Sequence, residues 1–97
     1  MPEIFRFYGF RFFFFSREHE PMHVHVEGKG GVAKFDYDEI LDKFELDYSH
    51  GLKPAELKRI SRIINDNANT VKIVWNWHFG AESNEDEYDE DYEDMLR

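Results

Sequence analysis

Apolar and polar residues alternate with a period of two through much of the first fifty positions. From Ile4 to Tyr8, Phe5 and Phe7 flank Arg6, a strand pattern with one polar face. Gly9 interrupts it, as a turn or a bulge would. Arg11 to Phe15 is strand-prone throughout, and its four consecutive Phe imply burial on both faces or a covering partner. Ser16 to Met22 reads as a loop, with Pro21 holding Glu20 extended. A strand His23–Glu27, the short turn Gly28-Lys29-Gly30-Gly31 and a strand Val32–Tyr37 follow, and so short a turn makes the pair antiparallel. Residues 38–43 fit a helical turn or a loop with Ile40 and Leu41 tucked in. Phe44 to Tyr48 alternates cleanly and closes the series with one solvated face.

The period then changes. Pro54 suits the first helical position and Glu56 the positive end of the helix dipole. Leu57, Ile60, Ile63 and Ile64 form an apolar stripe at helical spacing, and Lys58, Arg59 and Arg62 lie off it as a basic patch. Asn65 to Asn69 reads as a helix end and a new cap. Thr70 to Phe79 satisfies both periods. Val71, Ile73, Trp75, Trp77 and Phe79 alternate as on a strand, which the pattern alone slightly favours, while Val71, Val74, Trp75 and His78 share one helix face. The predicted class is α+β: four or five antiparallel strands over residues 4–48, then two helices over about 54–79 packed on one face of the sheet.

Ninety-seven residues suffice for one core, and ten Phe, five Tyr and two Trp can fill it. The expected division is one domain over residues 1–80 and an acidic, disordered tail over 81–97. The net charge of −9 is concentrated there: residues 81–97 carry −8, residues 1–80 only −1. This balance argues against general nucleic-acid affinity but leaves room for a local basic face. No cysteine is present, so disulfides and thiolate metal sites are excluded. With no apolar run long enough for a membrane span and no signal-like start, the expected location is the cytoplasm.

Candidate chemistry gathers in one stretch. His19, His23 and His25 fall within seven residues, beside Pro21. On a strand His23 and His25 point to one face, Val24 and Val26 to the other. His19 in the preceding turn can fold back towards them. Imidazole is a common ligand for zinc, nickel and copper, and Glu18, Glu20 or Glu27 could complete or orient such a set. Three imidazoles with an open position also suit metal-assisted hydrolysis. Two other readings stand beside the metal: a metal-free catalytic or ligand site, and structural imidazoles packed on Phe rings or tying the loop to the strand.

The opening Met1-Pro2-x-Ile4, then Phe7-Tyr8-Gly9 and His19-x-Pro21-x-His23-x-His25, resembles the small bacterial family called domain of unknown function 4160. Family members typically open Met-Pro-Thr-Ile and carry Glu-His-x-Pro-Pro-His-x-His; Glu3 and Met22 depart from that pattern. Pro54-x-Glu56-Leu57 and Trp75-Asn76-x-x-Phe79 also look like the family, although Lys53 stands where a Ser or Asn cap is usual. The resemblance spans residues 1–80 and implies a small antiparallel sheet followed by two helices, which turns the reading of 70–79 to helix. It implies no catalytic residues. It does imply a protein partner encoded nearby, of the type called domain of unknown function 2442, in a toxin–antitoxin-like pair with this chain as the candidate toxin.

The functional expectation is therefore an interaction component of such a pair, with a His-rich site for a divalent transition metal, zinc or nickel, or for another ligand. The alternative is a hydrolase, metal-dependent or of ribonuclease type, in which His23, His25 or His50 moves protons and Lys58, Arg59 or Arg62 holds phosphate. His78, between Trp77 and Phe79, reads as a helix-packing residue. Arg6 and Arg11, set among aromatics, are candidates for binding an acidic peptide or stacking on rings. The tail reads as a solubilising segment, or as a docking element that covers a basic site until displaced.

Overall fold

The computed structural model describes residues 3–15 and 21–80. Five strands form one antiparallel meander in sequence order: β1 Glu3–Phe7, β2 Phe10–Phe13, β3 His23–Gly28, β4 Gly31–Asp38 and β5 Lys43–His50. Two of its hairpins turn on two residues, both in left-handed conformation: Tyr8 and Gly9 (φ 54° and 83°), and Lys29 and Gly30 (φ 52° and 82°). This is the geometry that two-residue hairpins favour, because its twist matches that of the strands. The first turn lies close over the end of β3, where a Cβ on Gly28 would sit 2.4 Å from the carbonyl oxygen of Gly9.

Helix α1 spans Pro54–Asp66 and α2 spans Ala68–Trp75, followed by a π-helical turn over Asn76–Gly80. Proline stands at the start of α1 as expected, and Lys53 needs no capping side chain of its own. Its backbone N–H donates to the Glu56 carboxylate at 2.8 Å instead. The expected cap around Asn67 does not form: its side-chain amide donates back to the Ile63 carbonyl at 2.8 Å.

Both helices cover the same face of the sheet. The core joins Phe10, Phe12, Phe14, Val24, Val26, Ala33, Phe35 and Phe44 from the sheet region to Ile60, Ile63, Ile64, Val71 and Trp75 from the helices. The four Phe of 12–15 divide by the strand period: Phe12 and Phe14 enter this core, while Phe13 and Phe15 pack against each other elsewhere, with ring centroids 5.5 Å apart. Residues 68–75 are helical because burial follows every fourth position there. Val71 and Trp75 are buried, whereas Ile73 and Trp77, which a strand would place beside them, are 67% and 77% exposed. His78 is exposed rather than packed. Ile40 and Leu41 are exposed too, not tucked in; their N–H groups donate to the Asp38 carboxylate instead. No helix among the described residues is long and apolar enough to cross a membrane.

β5 is an edge strand, and Asn65 closes part of that edge. Its Oδ1 accepts the Phe44 N–H at 2.8 Å, while Nδ2 donates to the Phe44 carbonyl at 3.1 Å and to the Ser61 carbonyl at 3.0 Å. The side-chain amide thus stands in for a neighbouring strand and fastens α1 to the sheet. Asn65→Ala leaves two backbone groups of Phe44 without partners, and a loss of about 2 kcal/mol is expected in chemical denaturation, with the slope unchanged.

A second tie joins α2 to the β4–β5 turn. Asp42, at φ 54°, accepts hydrogen bonds from the Tyr37 hydroxyl and, at 3.0 Å, from Lys72 Nζ. The bond from Tyr37, then that from Lys72, holds the Asp42 carboxyl below its ordinary range. A depressed folded-state pKa stabilises the fold fully above the unfolded value and loses that effect as pH falls through the folded value. Wild type should therefore melt slightly above Asp42→Asn at neutral pH, with the gap closing on acidification to about pH 3. A gap that stays constant with pH would show that the carboxylate charge contributes nothing.

Candidate functional site

The two-residue turn at Lys29-Gly30 sets the register of β3 on β4: His23 lies opposite Asp36 and His25 opposite Lys34. β2 places Phe13 opposite His25 on the other side, and β5 places Tyr48 opposite Lys34. Paired residues share a face. Phe13, His25, Lys34 and Tyr48 therefore form one row across the sheet face opposite Val24, Val26 and the helices. His23 and Asp36 begin the next row.

The two imidazoles meet. Their ring centroids are 5.2 Å apart and nearly perpendicular, at 85°. Both residues are 8% exposed. His25 packs against both Phe13, stacked at 5.6 Å, and Phe15, tilted at 4.3 Å. His23 contacts Trp75 at 5.5 Å, which links the pair to α2. The Nδ1 of His23 stands 2.7 Å from the Pro21 carbonyl oxygen. A carbonyl only accepts, so Nδ1 carries the proton and a neutral ring keeps its lone pair on Nε2. Pro21 thus fixes both the orientation and the tautomer of the ring. The two structural roles considered from the sequence, packing on Phe rings and tying the loop to the strand, are both present.

Charge around the pair is arranged in ion pairs. Burial alone would lower the Lys34 pKa, but the Asp47 hydrogen bond and Asp36 more than offset that, and the ammonium is held above its ordinary value. Its Nζ lies 3.2 Å from Asp47 and 3.4 Å from Asp36. The Asp36 contact is electrostatic only, since Oδ1 is buried with no hydrogen-bond partner. Arg11 pairs with Glu27 at 2.8 Å and lies 4.2 Å over the Phe13 ring, the stacking expected of it. Arg6 pairs with Glu3 at 2.8 Å, and hydrogen bonding to that carboxylate raises its pKa. Beside His25, a groove of about 280 Å³ is lined by Arg11, Phe13, Phe15, Val32 and Tyr48.

Other candidates lie elsewhere. His19, Glu18 and Glu20 fall outside the described residues. His50 ends β5, opposite Val32 of β4 and two strands from β3. Arg59 and Arg62 line a separate groove with Phe7 and Tyr8, and Lys58 is exposed on the same helix. A ribonuclease-type arrangement of the imidazole pair with these cations is therefore not assembled among the described residues.

A family model described as domain of unknown function (DUF4160) matches residues 9–78. The chain belongs to this family. No curated protein and no solved structure matches it. The DUF4160 match takes in the imidazole pair, its Phe neighbours and Trp75, so the whole described site lies within the family domain.

Sequence reasoning missed Asp36 and Lys34 as neighbours of the histidines. The signal was available, because a two-residue turn at 29–30 pairs position 23 with 36 and 25 with 34. Trp75 as a neighbour of His23 had no comparable signal, since the contact joins segments fifty residues apart.

Zinc binds imidazole nitrogen at about 2.0–2.1 Å in tetrahedral geometry, which sets two rings on one ion about 5 Å apart, centroid to centroid. The observed 5.2 Å matches that spacing and equally matches ordinary ring packing, in which centroids lie about 4.5–7 Å apart. Two ligands do not make a complete site, and no group of three His, Asp or Glu among the described residues is placed to hold an ion. The imidazole pair thus supplies two nitrogen donors and no more.

Proposed function

We propose that this DUF4160 chain is a metal-binding interaction protein, in which His23 and His25 supply two ligands to a divalent transition metal, zinc or nickel. The supporting observation is the perpendicular ring pair at 5.2 Å, with Nδ1 of His23 committed to a backbone carbonyl. Such outer hydrogen bonds are what orient metal-ligating histidines. His19, outside the described residues, is the third ligand expected from the sequence. His19, His23 and His25 would hold such an ion, which would crosslink the chain before Pro21 to β3. The residues of this chain orient the imidazoles, and Phe13, Phe15 and Trp75 exclude water from around them.

The interaction half of the reading rests on the sheet face that the helices leave uncovered. Phe15, Val32 and Tyr48 are each at least 40% exposed around the groove beside His25. Apolar residues grouped on a sheet face suit a protein partner. The partner implied by the resemblance is the bacterial protein encoded nearby, in a toxin–antitoxin-like pair. Isothermal titration of the untagged full chain tests the metal half. One equivalent of zinc or nickel should bind, and no binding of either metal would defeat the proposal.

A further inference from the structure

A second site lies away from the imidazoles, between the β1–β2 turn and α1. Its groove, about 460 Å³, is lined by Phe7, Tyr8, Arg59, Arg62, Asp66 and Asn67. Tyr8 is 65% exposed and Phe7 40%, with ring centroids 6.5 Å apart and planes inclined by 36°. Tyr8 is presented by a turn in which it takes a left-handed backbone, uncommon for a bulky residue. The Arg59 guanidinium stands 5.1 Å over its ring. Arg6, Arg11, Lys34, Lys43 and Lys72 are ion-paired, whereas Arg59 and Arg62, like Lys29, Lys53 and Lys58, have no carboxylate ion-pair partner among the described residues. The groove thus combines exposed aromatic faces with two unpaired guanidinium groups and one carboxylate, a net positive lining.

We propose that this groove binds single-stranded RNA. Any base can stack on Tyr8 and Phe7, and guanidinium groups bind phosphate in a bidentate fashion. The rest of the polar lining includes hydrogen-bond acceptors. Asp66 is a carboxylate, and the Asn67 amide commits one N–H to Ile63, keeping its oxygen and a second N–H. Acceptors complement the base amino groups and the ribose 2′-hydroxyl, and the hydroxyl is the donor that DNA lacks. A purely anionic ligand would gain nothing from the rings and would be repelled by Asp66.

Fluorescence anisotropy of the full chain with a short labelled RNA of mixed sequence tests the assignment, with the matching DNA and inorganic polyphosphate as competitors. RNA should bind in a salt-dependent manner. Tyr8→Ala should weaken binding roughly 5- to 150-fold while Tyr8→Phe retains it, since stacking needs the ring and not the hydroxyl. Arg59→Ala with Arg62→Ala should weaken binding and lower the slope against log salt by about 1.4. Both arginines are exposed, so this variant keeps the fold, and Arg6→Ala, paired with Glu3, serves as the unaffected control. No RNA binding by wild type, binding indifferent to these substitutions, or polyphosphate competing as well as RNA would each overturn the site. DNA competing equally would overturn the RNA assignment.

Discussion

Trp75→Ala should remove about 3–5 kcal/mol of stability, the range for deleting a buried aromatic from a packed core. Trp75 is 2% exposed and packs edge-on against Phe14 at 5.1 Å and beside Phe79 at 4.4 Å. Domains of this size hold only about 5–15 kcal/mol in total, so the variant stands near the limit of folding. Trp77→Ala, two positions away, should stay within about 0.5 kcal/mol, as exposed substitutions do. The contrast discriminates between the two periods that fit residues 70–79. A strand would put both indoles on one face, and similar losses from both substitutions would contradict the helix. Tryptophan fluorescence gives a second readout: Trp75→Ala leaves only the exposed indole and should shift emission to the red, whereas Trp77→Ala should leave blue emission from Trp75.

The second large effect is expected at the imidazole pair. His23→Ala and His25→Ala should each weaken zinc or nickel binding by at least about a hundredfold, since loss of an outer-shell partner alone costs 10- to 100-fold. The double variant should show no specific binding. Metal should raise the melting temperature of wild type and leave the double variant unmoved, because a ligand that binds only the folded state stabilises it by mass action. Truncating His25 also removes a ring packed on Phe13 and Phe15, so each variant is compared with and without metal rather than with wild type alone. Retained affinity in His23→Ala would place the metal elsewhere and leave His23 as a tie between Pro21 and Trp75.

Local rules made much of the sheet readable. Alternation marked the strands, the Gly-rich turn at 28–31 marked one hairpin, and Gly9 marked a break, bulge or turn, which is a second hairpin turn in the fold. Strand period also put His23 and His25 on one face, as found. What the sequence concealed depends on contacts between distant segments. Asn65 lies at a helix end and reads as a cap, yet its amide serves the edge of β5, twenty-one residues back. Residues 70–79 satisfy both periods because Ile73 and Trp77 are apolar though exposed, so the polar positions that mark a helix's solvent face are missing. The stacking of Arg59 on Tyr8 joins a turn near the start of the chain to the second turn of α1, and neither residue signals the other. The site was therefore half readable: the pair of histidines from period, their Trp75 neighbour and the second groove only from the fold.

The histidine pair is tested most directly by X-ray absorption on the untagged full chain loaded with one equivalent of zinc. Imidazole rings give a characteristic outer-shell scattering pattern, so the spectrum counts them. The account predicts at least two imidazoles with zinc–nitrogen distances of about 2.0–2.1 Å, both lost in the His23→Ala/His25→Ala variant. A spectrum of oxygen ligands with one imidazole or none would contradict it.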